Sequence, residues 1–356
     1  MRPLPPSSPA PSGALPLEQA AARLGETLGP RVRRAARRLP LRFPAEYFSL
    51  IDPDDPADPL RRIAWPDPEE LEGDAGALAD PVGEGAGRPH PLVIRKYPDR
   101  ALLLVTRRCH FYCRFCFRAG EAAEPGEADL EQAVATIARL EGVREVILSG
   151  GDPLVLPDAR LVGLLEALGR IPKLRTLRLH TRAPIHQPDR ITGDLAAWLG
   201  GARPGPVWTV IHATHPRELR ETSDRAFRTL MRHGVPLLAQ SVLLAGVNDD
   251  AAVLAELFGG LYERGVKPYY LHHPDRVAGT RRFRLPIARG LQIVRRLREA
   301  LPGPAMPTYV LDPPDGGGKV PVSWLEPVGP GRWRVPRPGG RETYYEDEAE
   351  GREEGR

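Results

Sequence analysis

The sequence predicts an α/β protein built as a partial barrel of six parallel strand–helix units, a (β/α)6 relative of the eight-unit TIM barrel. Three observations carry this prediction. Apolar, β-branched runs recur about every 30 residues after residue 101, helix-like segments lie between them, and polar residues follow each run. Strands and helices that alternate in this way form parallel sheets through right-handed crossovers. An open doubly wound sheet has the same periodicity and remains an alternative at this point.

The residues before the first run divide into a tail and a wrap. Residues 1–15 are rich in Pro, Ser and Ala, which predicts disorder. Residues 16–95 begin with apolar and arginine positions at helical spacing over 17–39 and continue with a stretch rich in Asp, Pro and Gly. We therefore expect an N-terminal extension of short helices and irregular chain over 16–95.

The barrel itself is expected over residues 96–303. Its six predicted strands are 102–106, 145–149, 176–180, 207–212, 237–242 and 268–272. Its predicted helices are 130–140, 159–168, 195–199, 223–233, 251–264 and 287–301. Ligands of such sheets bind beyond the carboxyl ends of the strands, where this chain places its polar residues. A glycine-rich C-terminal segment over 304–340 and a disordered acidic tail over 341–356 complete the prediction.

Composition excludes several classes of protein. Hydrophobic residues make up 41% of the chain, which is enough for a sizeable core. A net charge of +4 does not indicate nucleic-acid binding. No apolar run approaches the ~18–20 residues of a membrane span, so we expect a soluble, cytoplasmic protein. Only four of the 50 basic residues are lysines, which draws attention to each of them.

The three cysteines, Cys109, Cys113 and Cys116, lie within eight residues directly after the first predicted strand. An odd, clustered set does not form a disulfide framework. Three thiolates at this spacing suit three irons of a [4Fe–4S] cube, whose fourth iron stays open for a ligand. A zinc site completed by His110 or His180, or simply buried thiols, are the alternatives. Zinc is usually held by paired Cys-x2-Cys knuckles and the chain has no second knuckle, so the cluster is favoured.

This cysteine spacing, after the first strand of a six-unit barrel, resembles the radical S-adenosylmethionine (SAM) superfamily. The resemblance implies that the open iron binds the amine and carboxylate of SAM. It also implies that the residues ending the second predicted strand contact the SAM amino group; they are Ser149, Gly150, Gly151 and Asp152. Glycines allow backbone to approach a ligand, and a carboxylate can hold an ammonium. A turn with a capping Asp explains the same residues equally well.

A narrower resemblance covers most of the chain, from about residue 47 to residue 322. The segments KYPDRALLLVTRRC, ILSGGDPL, QSVLLAGVND and LDPPDGGGK are similar to those of lysine 2,3-aminomutases, in the same order. That family combines SAM, the [4Fe–4S] cluster and pyridoxal 5′-phosphate (PLP). The resemblance implies an isomerase that moves the α-amino group of L-lysine to C3, with an external electron donor.

Three alternatives to this function stay open. The chain could perform the same chemistry on another amino acid, or form β-lysine for the modification of elongation factor P. It could also be a non-catalytic protein that binds zinc or a cluster. We expect a small amino acid as its partner and neither a nucleic acid nor a membrane, and the sequence leaves a homo-oligomer open.

The resemblance assigns the cofactor residues as follows. Lys319, at the end of GGGK, is expected to hold PLP covalently, a role that arginine cannot take because its guanidinium stays protonated. Burial beside a cofactor phosphate is expected to lower the pKa of its amine. A flexible glycine loop ending in a solvated lysine is the alternative. Lys96 and Arg100 are expected at the PLP phosphate, and His212 and Gln240, at two strand ends, at SAM.

The same resemblance assigns three residues to the substrate. Asp275 and Asp312 match positions that bind the distal ammonium of lysine, where two carboxylates supply charge-assisted hydrogen bonds. Arg118 matches the residue that binds the substrate carboxylate, a task that suits a guanidinium fork. Ordinary turn positions for both aspartates, and a surface position for the arginine, are the alternatives.

Overall fold

The computed structural model describes residues 14–118, 124–337, 339 and 341–347, and it begins with a wrap of short elements. These elements are β1 (Ala14–Leu15), α1 (Leu17–Arg23), α2 (Pro30–Ala36), β2 (Phe43–Pro44), α3 (Ala45–Phe48) and α4 (Pro59–Ala64). β1 pairs antiparallel with β2, so the predicted disorder of residues 1–15 is wrong for its last two residues. Residues 1–13 lie outside the described residues. Residues 16–92 otherwise consist of short helices and irregular chain.

Nine strands form the main sheet of the described chain. They are β3 (Val93–Tyr97), β4 (Arg100–Thr106), β5 (Glu145–Gly150), β6 (Thr176–Thr181), β7 (Trp208–His212), β8 (Leu237–Val242), β9 (Lys267–His272), β10 (Thr308–Leu311) and β11 (Val320–Pro321). β4 to β10 are parallel and neighbour each other in chain order, whereas β3 and β11 are antiparallel edges. A doubly wound sheet reverses its strand order. The unbroken order here is that of a barrel wound in one direction, which confirms the partial barrel.

Seven helices of the described chain follow the sheet strands. They are α5 (Glu127–Arg139), α6 (Asp158–Gly169), α7 (Ala183–His186), α8 (Gly193–Gly200), α9 (Glu221–Arg232), α10 (Ala251–Glu263) and α11 (Ile287–Ala300). All six predicted helices are present. The apolar residues whose spacing predicted these helices are the ones that the helices bury. In α5 they are Leu130, Ala133 and Ile137. None of the helices in the described ranges is long and apolar enough to cross a membrane.

The domain boundaries differ from the prediction because the sheet is wider than six strands. The boundary expected at residue 96 falls inside β3, and β10 and β11 extend the sheet into the segment expected to begin at 304. The edge strands escaped the prediction since they are short and lie outside the strand–helix rhythm.

A separate three-stranded antiparallel sheet follows, formed by β12 (Glu326–Gly329), β13 (Arg332–Pro336) and β14 (Glu342–Glu346). The prediction of a disordered tail over 341–356 is therefore wrong for 342–346. Within the run ETYYE, Tyr345 is buried and its neighbours Tyr344 and Glu346 are exposed, so the alternation typical of a strand outweighs the acidic composition. Residues 348–356 lie outside the described residues.

Candidate functional site

One cavity at the carboxyl ends of the parallel strands is lined by every residue that the sequence assigned to a site. These residues are Lys96, Arg100, Cys109, Cys113, Cys116, Arg118, Ser149, Gly150, Gly151, Asp152, His212, Gln240, Asp275, Asp312 and Lys319. The cysteine loop follows β4, and Lys319 precedes β11 more than 200 residues later. The two meet because consecutive parallel strands deliver their ends to one side of the sheet.

The cysteine loop is anchored in the N-terminal wrap by a buried arginine. Arg114, between the second and third cysteines, is fully buried, and its Nε donates to Glu70 at 2.9 Å. Its Nη2 donates to the Ala35 carbonyl at 2.9 Å, and its backbone N–H donates to the Ile63 carbonyl at 3.0 Å. A buried arginine that lost its carboxylate would cost about 3–5 kcal/mol, so the wrap holds this loop firmly.

The three thiols are half-buried and form no disulfide. Burial raises the pKa of Cys113 to about 11, although Arg182, whose Nη1 donates to its Sγ at 2.6 Å, opposes that rise. Arg182 is in turn held by Thr214 at 2.8 Å and Glu218 at 3.0 Å. No role was assigned to Arg182 from the sequence, and its position at the end of β6 was the signal available.

A zinc ion and an iron–sulfur cluster differ in how they take their ligands. Within the ranges that the structure describes, no three His, Cys, Asp or Glu side chains converge closely enough to hold one metal ion. A zinc ion needs such convergence, because all its ligands bind one atom. A [4Fe–4S] cube takes each thiolate on a different iron, and the three cysteines line one cavity.

Gly150 and Gly151 end β5 in close contact with the start of the cysteine loop. The N–H of Gly151 donates to the Thr106 carbonyl at 2.7 Å, and a Cβ on Gly151 would lie 2.2 Å from the Arg108 carbonyl oxygen. Gly150 has a φ of +110°, which favours glycine. Besides the ligand approach expected of them, these glycines therefore allow close contact with the backbone that leads into Cys109.

Asp152 has the capping role that the sequence left open. Its Oδ1 accepts from Thr181 Oγ1 at 2.7 Å and from the Leu154 N–H at 3.0 Å, and its Oδ2 accepts from the Arg182 N–H at 2.8 Å. The carboxylate thus joins the end of β5 to the end of β6. Contact of residues 149–152 with SAM stays a prediction.

His212 and Gln240 end β7 and β8 on the cavity wall. Burial lowers the pKa of His212 well below its usual value, so the ring is neutral. Its Nε2 is buried without a hydrogen-bond partner among the described protein atoms, while its ring lies 5.8 Å from that of Phe115. Such an unpartnered atom beside an aromatic face fits a polar ligand with a planar ring. Gln240 Oε1 lies 3.4 Å from His272 Nε2.

The Lys319 loop is packed against β3 through Tyr97. The Lys319 N–H donates to the Tyr97 hydroxyl at 2.8 Å. Gly318 has a φ of +83°, and a Cβ there would lie 2.7 Å from the Tyr97 ring. A flexible loop with a solvated lysine, the alternative reading of GGGK, does not describe this packing. Tyr97, in the segment KYPDR, was missed as a site residue.

Asp312 lies between two lysine ammonium groups. Its Oδ1 accepts from Lys96 Nζ at 2.5 Å and its Oδ2 from Lys319 Nζ at 2.8 Å. Burial works to lower the pKa of Lys319, but the Asp312 carboxylate raises it above its usual value. The Asp312 carboxylate thus outweighs burial at this amine, and a lowering beside a cofactor phosphate stays a prediction. Burial, and then the nearby Asp312 carboxylate, raises the pKa of Asp275 to about 7.

The two arginines predicted for the cavity both contact carboxylates. Arg118 donates to Glu84 through Nη1 at 2.8 Å and Nη2 at 2.7 Å, and both side chains are largely buried. Glu84, from the N-terminal wrap, had not been singled out in the sequence. Arg100 donates to Asp99 at 2.9 Å and lies over the Tyr97 ring. Lys96 contacts Asp312, whereas Arg100 contacts Asp99. The two residues predicted at the phosphate therefore have different partners in the structure.

Comparison with known proteins bears on this site. Residues 103–197 match the Radical SAM superfamily. The chain is 40% identical to an L-lysine 2,3-aminomutase from Clostridium subterminale over 295 residues, which cover 82% of this chain and 70% of that protein. It is 38% identical to an L-lysine 2,3-aminomutase from Bacillus subtilis, covering 81% of this chain and 62% of that protein. It is also 38% identical to a glutamate 2,3-aminomutase from Clostridioides difficile, covering 78% of this chain and 66% of that protein.

Among solved structures, a radical SAM methyltransferase from Sphaerobacter thermophilus superposes with a TM-score of 0.44 and 20% sequence identity, covering 61% of this chain and 68% of that chain.

We expect Gly151→Ala to damage the cysteine loop. The new Cβ meets the backbone at Arg108, so the free energy of unfolding should fall by about 2–3 kcal/mol and the bound iron should fall with it. Thermal unfolding and iron analysis of anaerobically reconstituted protein measure both. Gly163→Ala is the matched control, because that position in α6 is exposed with open space around it. It should raise stability by about 0.5–1 kcal/mol without changing iron content. Full iron content in Gly151→Ala would contradict the packing argument.

Proposed function

This chain belongs to the lysine 2,3-aminomutase family of radical SAM isomerases, and from that premise we propose that it moves the α-amino group of L-lysine to C3. The observation that carries the proposal is the carboxylate pair of Asp275 and Asp312 in the cavity that also holds the cysteines and Lys319. Two carboxylates favour a substrate with a cationic side chain. Family membership alone leaves the amino acid open, since glutamate 2,3-aminomutase is also a relative.

The proposed roles follow from the contacts of each residue. Cys109, Cys113 and Cys116 hold the cluster, and Lys319 holds PLP. When bound, the cluster and SAM supply radical hydrogen transfer, and PLP supplies an aldehyde that carries the migrating nitrogen. Residues 149–152, His212 and Gln240 bind SAM, and Lys96 and Arg100 bind the PLP phosphate.

Arg118 binds the substrate carboxylate in this proposal. Glu84 presents its guanidinium in a fixed orientation through two parallel hydrogen bonds. Phe115 and Phe283 give the cavity apolar walls, which keep water away from reactive species.

Asp312 has two tasks in this proposal. Whenever the Lys319 amine is not bonded to PLP, Asp312 holds a proton on its Nζ, because Oδ2 is 2.8 Å away. A substrate ammonium that binds Asp312 competes with that contact and so lowers the pKa of the lysine amine. The substrate thereby favours the neutral amine, which is the nucleophilic form. An external electron donor is part of this proposal, while homo-oligomerisation and a cytoplasmic location stay predictions.

A turnover assay tests the proposal directly. We expect protein reconstituted with iron, sulfide and PLP to convert L-lysine to β-lysine under reducing anaerobic conditions with SAM. Ornithine, arginine and glutamate should be poor substrates, since their side-chain length or charge does not fit both carboxylates. Faster conversion of glutamate than of lysine would contradict the assignment of Asp275 and Asp312. Zinc in place of iron, with no PLP, would instead support a non-catalytic protein.

The assignment of Lys319 is tested by cofactor content. Lys319→Ala should lose covalently bound PLP and keep full iron, because the two sites use different residues. The measurement is borohydride reduction followed by peptide mapping of the pyridoxyl group. Lys267→Ala is the control, since Lys267 lies at the exposed start of β9 and contacts the Pro304 carbonyl. Pyridoxyl label on Lys96 of the wild-type protein would overturn the assignment.

The pKa of Asp275 predicts a pH dependence. Because that pKa is raised from 3.8 to about 7, the carboxylate is present above pH 7 and is lost as the pH falls through that value. We expect kcat/KM for lysine to fall about tenfold per pH unit below pH 7, as for one ionising group of the free enzyme. His272 does not titrate in this range, because burial lowers its pKa to about 3.

Asp275→Asn should lower kcat/KM at high pH and flatten this acidic limb. The measurement is the pH profile of kcat/KM for both proteins. An unchanged acidic limb in the variant would assign the ionisation to a different group.

A further inference from the structure

The C-terminal strand β14 lies behind the loop that carries Asp275. Arg276, the next residue, donates from Nη1 to the Glu346 carbonyl at 2.7 Å. The ring of Tyr345 lies 6.1 Å from that of His273 and nearly perpendicular to it, at 84°. Tyr345 is only 5% exposed, so this contact is part of a packed interface. Residues from an acidic segment expected to be disordered thus cover the back of the site.

Asp347 locks the end of this segment in place. Its side chain is only 3% exposed, and its Oδ2 accepts from the Ile287 N–H, the first residue of α11, at 2.7 Å. Pro286 precedes that helix and provides no side-chain cap, so Asp347 supplies the carboxylate that a helix N-terminus favours. The N–H of Asp347 donates to the Gly331 carbonyl at 2.6 Å.

His273 connects this segment to the barrel. Its N–H donates to the Val310 carbonyl of β10 at 2.8 Å, and its Nδ1 is 2.8 Å from the Tyr309 hydroxyl. Burial lowers the pKa of His273 to about 3, so the ring is neutral and packs as an uncharged group. The carboxylate of Asp347 lies 3.8 Å from its Nε2.

The chain is therefore held in place both before and after Asp275. His273 packs between β10 and Tyr345, and Arg276 is tied to β14. The Arg276 carbonyl also accepts from the Leu78 N–H at 2.8 Å, which joins the loop to the N-terminal wrap. The carboxylate of Asp275 faces the cavity, whereas Tyr345 and Asp347 lie outside its wall.

We propose that residues 342–347 are a brace that positions Asp275, so that the C-terminal segment sets selectivity for a substrate with a distal ammonium. This inference rests on the proposed function of Asp275. Tyr345 and Asp347 are positioning residues, since they act through the 273–276 backbone rather than on the substrate. A charge-assisted hydrogen bond depends steeply on distance and angle, so releasing the brace weakens ammonium binding before it affects the rest of the site.

The test compares lysine with norleucine, which has the same carbon chain and lacks the distal amine. In the reconstituted holoenzyme, Asp347→Ala should raise the KM for lysine about tenfold with a smaller change in kcat. The inhibition constant of norleucine should stay within about twofold of the wild-type value, because norleucine does not use Asp275. Asp347→Asn should restore part of the affinity, since its amide oxygen can still accept from Ile287.

Two further variants keep the test decisive. Glu342→Gln is the control, because Glu342 is an exposed residue of the same strand that pairs with Arg334, and it should leave both constants unchanged. Arg276→Gln removes the exposed hydrogen bond from Arg276 to the Glu346 carbonyl, and it should also raise the lysine KM. This variant keeps the proposal testable if Asp347→Ala does not fold. Equal weakening of lysine and norleucine, or an unchanged lysine KM in both brace variants, would overturn the brace and leave the proposed function standing. A wild-type protein that binds norleucine as tightly as lysine would overturn both.

Discussion

The open side of the barrel is bridged by an ion pair and a hydrogen bond rather than by strand pairing. β3 and β11 are the two edges of the nine-stranded sheet, and the described chain does not pair them with each other. Lys96 and Tyr97 lie on β3, while Asp312 and Lys319 lie beside β10 and β11. The contacts Lys96–Asp312 and Tyr97–Lys319 therefore cross the seam. Three of these four residues, Lys96, Asp312 and Lys319, are also proposed to bind PLP or the substrate.

This arrangement concentrates opposite charges where little water reaches them. Burial acts to raise the pKa of Asp312, but Lys319 and Lys96 lower that pKa overall. Asp312 is therefore a charged carboxylate that both ammonium groups share. Its charge in turn contributes to the high pKa of Asp275. The protonation of Lys319, Asp312 and Asp275 is therefore coupled, and a cationic ligand that binds one of them changes all three. The cysteine loop, by contrast, is fixed by neutral backbone packing at Gly151 and by the buried Arg114–Glu70 pair.

The recurrence of apolar runs about every 30 residues predicted the barrel well. Alternating strands and helices at this spacing can bury their apolar faces in only a few folds. The six strands and six helices, and the cavity that gathers Cys109 and Lys319, follow from that pattern and from the motifs. The contact of Asp312 with Lys319, which raises the pKa of that amine, was not predicted because no local pattern reveals the orientation of Asp312. The packing of Gly151 on the backbone at Thr106 and Arg108 was not predicted because a sequence does not show which backbone lies opposite. The strand at 342–346 was missed because its charges outnumber the single alternating tyrosine that it buries.

The seam also explains why segments from both ends of the chain reach the same site. A closed eight-unit barrel positions its strand ends by hydrogen bonding around the full circle, whereas an open one has two free edges whose separation must be set in another way. The N-terminal wrap sets one edge through Glu84, which holds Arg118, and through the Val82 carbonyl, which accepts from Lys96. From the C-terminal end, β14 reaches the loop after β9, where Tyr345 packs on His273 and the Glu346 carbonyl accepts from Arg276. In the proposed function Lys96, Asp312 and Lys319 serve both the ligands and these edges, so a ligand that binds them also alters the contacts between β3 and the segment from β10 to β11.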